Sequence, residues 1–161
     1  MKKLMLLVSL LTLPLLAQAH KAHTHGAGSV EVAMEVDKLE IDLEISGDAI
    51  VGFETKPNGE AQTKVALEAE TKLKTLDKVV KINGGDCTLK DHQVKVEYDK
   101  NHSDYDIGLE FSCKKPLEVA SLDFTVMDAF KGIKELSVSF VSKTKQDQKV
   151  LKGSQRIFNI K

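Results

Sequence analysis

Beyond its first nineteen residues this 161-residue sequence has no apolar run approaching the roughly 20 residues that a membrane-spanning helix needs. No cysteine follows the leading apolar stretch closely enough to take a lipid, so the mature protein is expected to have no membrane anchor. Its two cysteines, Cys87 and Cys113, do not form the C-x-x-C pair of a redox centre. Basic residues do not collect into a patch: Lys, Arg, Asp and Glu alternate and the formal charge is −1, which implies no nucleic-acid partner. There is no G-x-S-x-G, no H-E-x-x-H and no glycine-rich phosphate loop, and Gly84-Gly85 reads as a helix stop. Without a set of converging titratable groups, the expectation is a protein that is not an enzyme.

What is present begins with a leader. Lys2 and Lys3 precede the apolar stretch Leu4 to Leu16, and Ala17-Gln18-Ala19 offers the small residues that a signal peptidase requires. Residues 1–19 therefore read as a cleavable signal peptide of bacterial type, and the expected address is the periplasm. Its removal takes away two lysines and moves the formal charge from −1 to −3. In an oxidising compartment two cysteines read first as a disulfide. Cys87 and Cys113 enclose 25 residues, a loop whose closure contributes about 3 kcal/mol. The alternative, a pair of thiolate metal ligands, suits that compartment poorly.

From Ser29 the apolar residues follow a period of two. Val30, Val32, Met34 and Val36 alternate with polar neighbours, and so do Leu39, Ile41, Leu43 and Ile45, which predicts two half-buried strands joined near Asp37-Lys38. After Pro57-Asn58-Gly59 the period lengthens. Val65, Ala69, Leu73, Leu76 and Val80 form a stripe that predicts one long amphipathic helix between Glu60 and Ile82, stopped by Asn83-Gly84-Gly85. Alternation returns at Val94 to Tyr98, at Tyr105 to Phe111, and in "SLDFTVM", "ELSVSFVS" and "QRIFNIK", while "DAFKGIK" is long enough only for a single turn. The expected fold is α+β: a mainly antiparallel sheet, or two small sheets, with one long helix and one disulfide. Residues 20–28 read as a flexible histidine-bearing segment and residues 29–161 as a single domain.

Histidine is the residue whose placement is uneven. Three of the five, His20, His23 and His25, fall within six positions behind the leader, leaving His92 and His102 for the rest. Neutral imidazole ligates zinc, copper and nickel, and His-x-x-His-x-His can wrap one ion. A solubilising leader is the plain alternative for such a segment. A second candidate lies between the cysteines, where His102 and Asp104 share a side if a strand begins there, a pairing of imidazole and carboxylate that suits zinc. An ordinary polar hairpin tip is the competing reading for Asp91, Asp99 and Asp106, and His92 is ambiguous.

Four stretches, "HTHGAGSVEVAMEVDKLEIDLE", "AIVGFETKPN", "GDCTL" followed by "HSDYDIGLEFSC", and "FTVMDAFKGIKELSVSF", resemble in content and order the ZrgA-like family of zinc-regulated periplasmic proteins. The resemblance spans nearly the whole mature chain. It implies a soluble zinc-binding accessory to a high-affinity importer, with His23 and His25, His20 nearby, and His102 with Asp104 as the residues carried over. Thr55 and Lys56 stand where many members place a histidine, and a long His/Asp-rich insert between the cysteines is lacking. The function expected is therefore a periplasmic, non-enzymatic protein that binds Zn2+, with Cu2+ or Ni2+ as other ions its histidines could take. The rival is a disulfide-braced structural or protein-interaction module without a physiological metal.

Overall fold

The computed structural model describes residues 25–161. Nine strands and three short helices follow one another: β1 (Ala27–Met34), β2 (Lys38–Ser46), α1 (Gly47–Val51), α2 (Glu60–Leu73), β3 (Lys81–Asn83), β4 (Cys87–Tyr98), β5 (Ser103–Cys113), β6 (Ser121–Asp123), α3 (Val126–Ala129), β7 (Glu135–Ser142), β8 (Gln146–Lys152) and β9 (Ile157–Asn159). Six strands form one sheet in the order β4-β5-β2-β1-β7-β8, and three form a second in the order β3-β6-β9. The large sheet is mixed. β1 pairs antiparallel with β2 but parallel with β7, from Ala27 opposite Glu135 to Met34 opposite Ser142. Two sheets are present, the alternative the sequence offered, and the pairing is mixed rather than purely antiparallel, with β1–β7 the parallel junction.

Alternation on the strands becomes two unlike faces. Val30, Val32, Leu39, Ile41, Leu43, Ile45, Tyr105, Ile107, Leu136 and Val138 are all buried, and they join Leu73, Val79, Leu122, Phe124 and Phe158 in one core. The second sheet meets the first where the Phe140 and Phe158 rings lie 6.1 Å apart between centroids. Across the opposite face the register sets carboxylates side by side, Glu31 against Asp42 and Glu40 against Glu110. Partial desolvation, with Glu40 and Glu31 nearby, raises the Asp42 pKa above the usual carboxylate value.

The long helix is a correction. α2 spans 14 residues and stops at Leu73, and the remainder of the predicted segment is a 3-10 turn at Leu76–Lys78 followed by β3. The apolar stripe had continued because Leu76, Val79 and Val80 also pack on the core, from a different backbone. Within α2 the buried residues are Ala66, Ala69 and Leu73, while Val65 is 42% exposed, so the buried face is turned relative to the predicted one. Val36 lies in the connection between β1 and β2, closed by the Glu35 N–H donating to the Lys38 carbonyl, and is 85% exposed. "SLDFTVM" divides into the short β6 and the single turn α3, and β8 is a strand that the Gln- and Lys-rich sequence did not announce. No helix among the described residues is long and apolar enough to cross a membrane.

Cys87 and Cys113 form the disulfide, at directly opposed positions of β4 and β5. β4 is an edge strand whose register shifts between Leu89 and Asp91, so the bond fixes one end of a pairing that a bulge loosens. Replacing both cysteines with alanine is expected to lower stability by about 2–5 kcal/mol. Urea unfolding of wild type and double variant measures it; equal midpoints would show that the bond adds nothing.

Candidate metal centre

Strand directions determine what meets at one end of the large sheet. β1 begins there with Ala27, β2 ends there with Ser46, and β5, antiparallel to β2, begins there with Ser103. The residues just outside these limits are therefore brought together: His25 before β1, Asp48 after β2 and His102 before β5. Glu54 arrives on the loop leaving α1, after Gly52 turns the chain in the left-handed region at φ 82°. Glycine suits that conformation because it has no side chain to strain.

His25, Asp48 and Glu54 each offer one ligand atom within 4.8 Å of the others. His25 Nδ1 lies 3.3 Å from Asp48 Oδ2 and 3.2 Å from Glu54 Oε1. His102 Nδ1 approaches the other oxygen of the same glutamate, Oε2, at 3.9 Å. The two histidine segments that the sequence offered as separate candidates thus converge on Glu54. Tetrahedral donors about 2.0–2.1 Å from a zinc ion stand about 3.3 Å from one another. The contacts from His25 to the two carboxylates already have that spacing.

The base of the site is held and its rim is open. The Gly26 N–H donates to Asp48 Oδ2 at 3.0 Å, while Asp48 Oδ1 is buried without a hydrogen-bond partner among the described residues. A buried carboxylate oxygen lacking a donor is a costly arrangement that a cation relieves. The side chains of Asp48 and Glu54 are 19% and 29% exposed, against 75% for His25. Two imidazoles with two carboxylates suit zinc, copper or nickel better than magnesium or calcium, which prefer all-oxygen sets.

The predicted residues divide accordingly. His20 and His23 lie outside the described residues. His25 and His102 reach the cluster. Asp104 pairs with Ser46 on one side and Glu97 on the other and is not one of the three clustered residues. Cys87 and Cys113 are consumed in their disulfide and are not ligands. Sequence reasoning missed Asp48 and Glu54; the available signals were an Asp directly behind Ser46-Gly47 at a strand end, and the glutamate of "VGFE". With this arrangement in view, the family comparison is decisive: the model of the ZrgA family zinc uptake proteins matches residues 22–160. The chain belongs to the ZrgA family. That match contains the three clustered residues and His102. No protein of curated function matches the chain.

His92 stands apart from the site. It lies on the inner face of β4 opposite Leu109, with Nε2 buried and lacking a hydrogen-bond partner among the described residues. Burial lowers its pKa from the ordinary imidazole value, opposed but not cancelled by the Leu73 carbonyl and the Asp91 carboxylate. A histidine whose folded-state pKa is depressed adds stability above its unfolded pKa and loses it as pH falls through the folded value. His92→Leu is therefore expected to make stability less sensitive to acidification below about pH 6.5. Urea midpoints of both proteins at pH 7.5 and 5.5 test this, and an unchanged difference between the two pH values would refute it.

Proposed function

We propose that this protein is a periplasmic, non-enzymatic carrier of Zn2+ that serves zinc uptake, taking the ion at His25, Asp48, Glu54 and His102. One observation carries the reading: His25 Nδ1 stands 3.2–3.3 Å from two carboxylates that the fold holds at a sheet end, with His102 on the far oxygen of one of them. Membership of a zinc uptake family supplies the context. The ion is cargo. Residues 1–19 export the chain, and His20 and His23 lie close enough in sequence to His25 to offer further nitrogens to an arriving ion. Components of a high-affinity zinc importer are the partners to which such cargo passes.

The chemistry of the ligands sets the conditions of capture and release. Zinc binds neutral imidazole, so protons and metal compete for the same nitrogens. Imidazole ordinarily titrates near pH ~6.5. With two imidazoles in the set, affinity is expected to fall toward about 100-fold per pH unit well below that value. Cu2+ and Ni2+ are the natural competitors for this donor set.

Calorimetric titration of the mature protein with Zn2+ at pH 7.5 and 5.5, repeated on Glu54→Gln and on a chain starting at Gly26, tests the reading. Tight binding at the higher pH, strong weakening at the lower, and weaker binding in both variants are expected. No heat of binding would leave the disulfide-braced interaction module as the better account. Equal affinity at both pH values would remove histidine as the main ligand, and an unaltered titration in the shortened chain would move the site away from the N-terminus.

A further inference from the structure

The "DAFKGIK" turn gives the cluster no ligand, yet it touches two of the segments that do. Gly132 lies against α1: a Cβ placed on it would stand 2.2 Å from the Ala49 carbonyl oxygen and 2.8 Å from the carbonyl carbon. Ala49 directly follows the ligand Asp48. Two residues beyond Gly132, the Lys134 N–H donates to the Gly26 carbonyl at 2.7 Å, and Gly26 directly follows His25. Gly132 is not among the glycines with positive φ, so its backbone conformation would accept alanine. What the position requires is the missing side chain.

The same construction recurs on the other side of α1. A Cβ on Gly47 would stand 1.9 Å from Ser103 Oγ and 3.0 Å from the Ser103 carbonyl oxygen. Ser103 is buried and directly follows His102. α1 is thus seated between two close approaches, one from the 128–134 turn and one from the start of β5. Each lies one residue from a ligand.

We propose that Gly132 and Gly47 are positioning residues of the metal centre, setting the depth at which α1 presents Asp48 between the His25 and His102 segments. The inference rests on the zinc reading above. An alanine at 132 pushes against backbone, which cannot rotate aside, so α1 must move and carry Asp48 with it. An alanine at 47 meets mainly a hydroxyl, and removing that hydroxyl should relieve it.

The test compares two overlaps of equal size. Gly84, remote from the cluster in the segment between β3 and β4, would also place a Cβ 2.2 Å from a carbonyl oxygen, that of Glu118, with an added cost from its φ of +89°. In the full mature chain Gly132→Ala is expected to weaken Zn2+ at least tenfold and to reduce the visible absorption of bound Co2+, which reports four-coordinate geometry. Gly84→Ala should melt earlier than wild type while the folded protein binds Zn2+ within about twofold of it. Should Gly132→Ala fail to fold, Gly47→Ala is the second arm: it should lose at least tenfold, and Gly47→Ala with Ser103→Ala should recover most of that loss. Wild-type affinity and spectrum in Gly132→Ala, an equal loss in Gly84→Ala, or no recovery in the double variant would overturn the positioning role. Absence of binding by the wild type would instead remove the metal centre itself.

Discussion

The register of the central strand β1 is the constraint on which the other features rest. β1 is bonded on both sides, antiparallel to β2 from Gly28 and parallel to β7 from Ala27, each pairing running to Met34. A slip of one residue on either side would turn Val30 and Val32 outward and bring Glu31 into the core. The cost of burying an unpaired carboxylate far exceeds that of any surface contact in the molecule. Because the register is so strongly set, the strand ends are set too, and with them the starting points of His25, Asp48 and His102.

The peptide at Gly26 converts that register into a site. Its carbonyl accepts from Lys134 and Glu135, which starts the parallel pairing, while its N–H donates to Asp48, which orients the carboxylate. Gly26 takes φ +74°, and a Cβ there would crowd the Lys134 side chain at 2.9 Å, so both conformation and space favour glycine at this point. The chain passes from core strand to candidate ligand within two residues. Rigidity of the sheet is thereby transmitted to the Asp48 carboxylate with almost no intervening loop.

How much of this the sequence disclosed follows from the range of each interaction. Strands β1, β2, β5 and β7 were legible because each carries three or more apolar residues at period two, a local signal. The parallel junction was not, since Ala27 and Glu135 are more than a hundred residues apart and nothing local marks a strand for a partner so distant. The helix pattern overran because Leu76 and Val80 continue its apolar stripe and pack on the core, although a 3-10 turn carries Leu76 and the link between that turn and β3 carries Val80. Among site residues, histidines were conspicuous because there are five. Asp48 and Glu54 were hidden among 24 acidic residues, and only convergence in space separates them from the solvated carboxylates of the sheet's outer face.

On the proposed zinc reading, the distribution of exposure across the cluster bears on how a carrier would be both selective and able to let go. Its carboxylates are the less exposed members, seated on α1 and its following loop, while the His25 ring is the most exposed. Ordering a long exposed side chain costs conformational entropy at the moment of binding, whereas a carboxylate already aligned by a backbone N–H has borne that cost in folding. In the proposed site a base of prearranged oxygens would attract the cation, and imidazoles closing from two chain segments would confer a preference for zinc-like ions over calcium or magnesium. Because zinc requires neutral imidazole, protons compete for the nitrogens of such a set, and its selective part would also be the part that releases first. A fully enclosed four-cysteine site would offer no such step-by-step exit, and a chain whose two cysteines form a disulfide cannot build one.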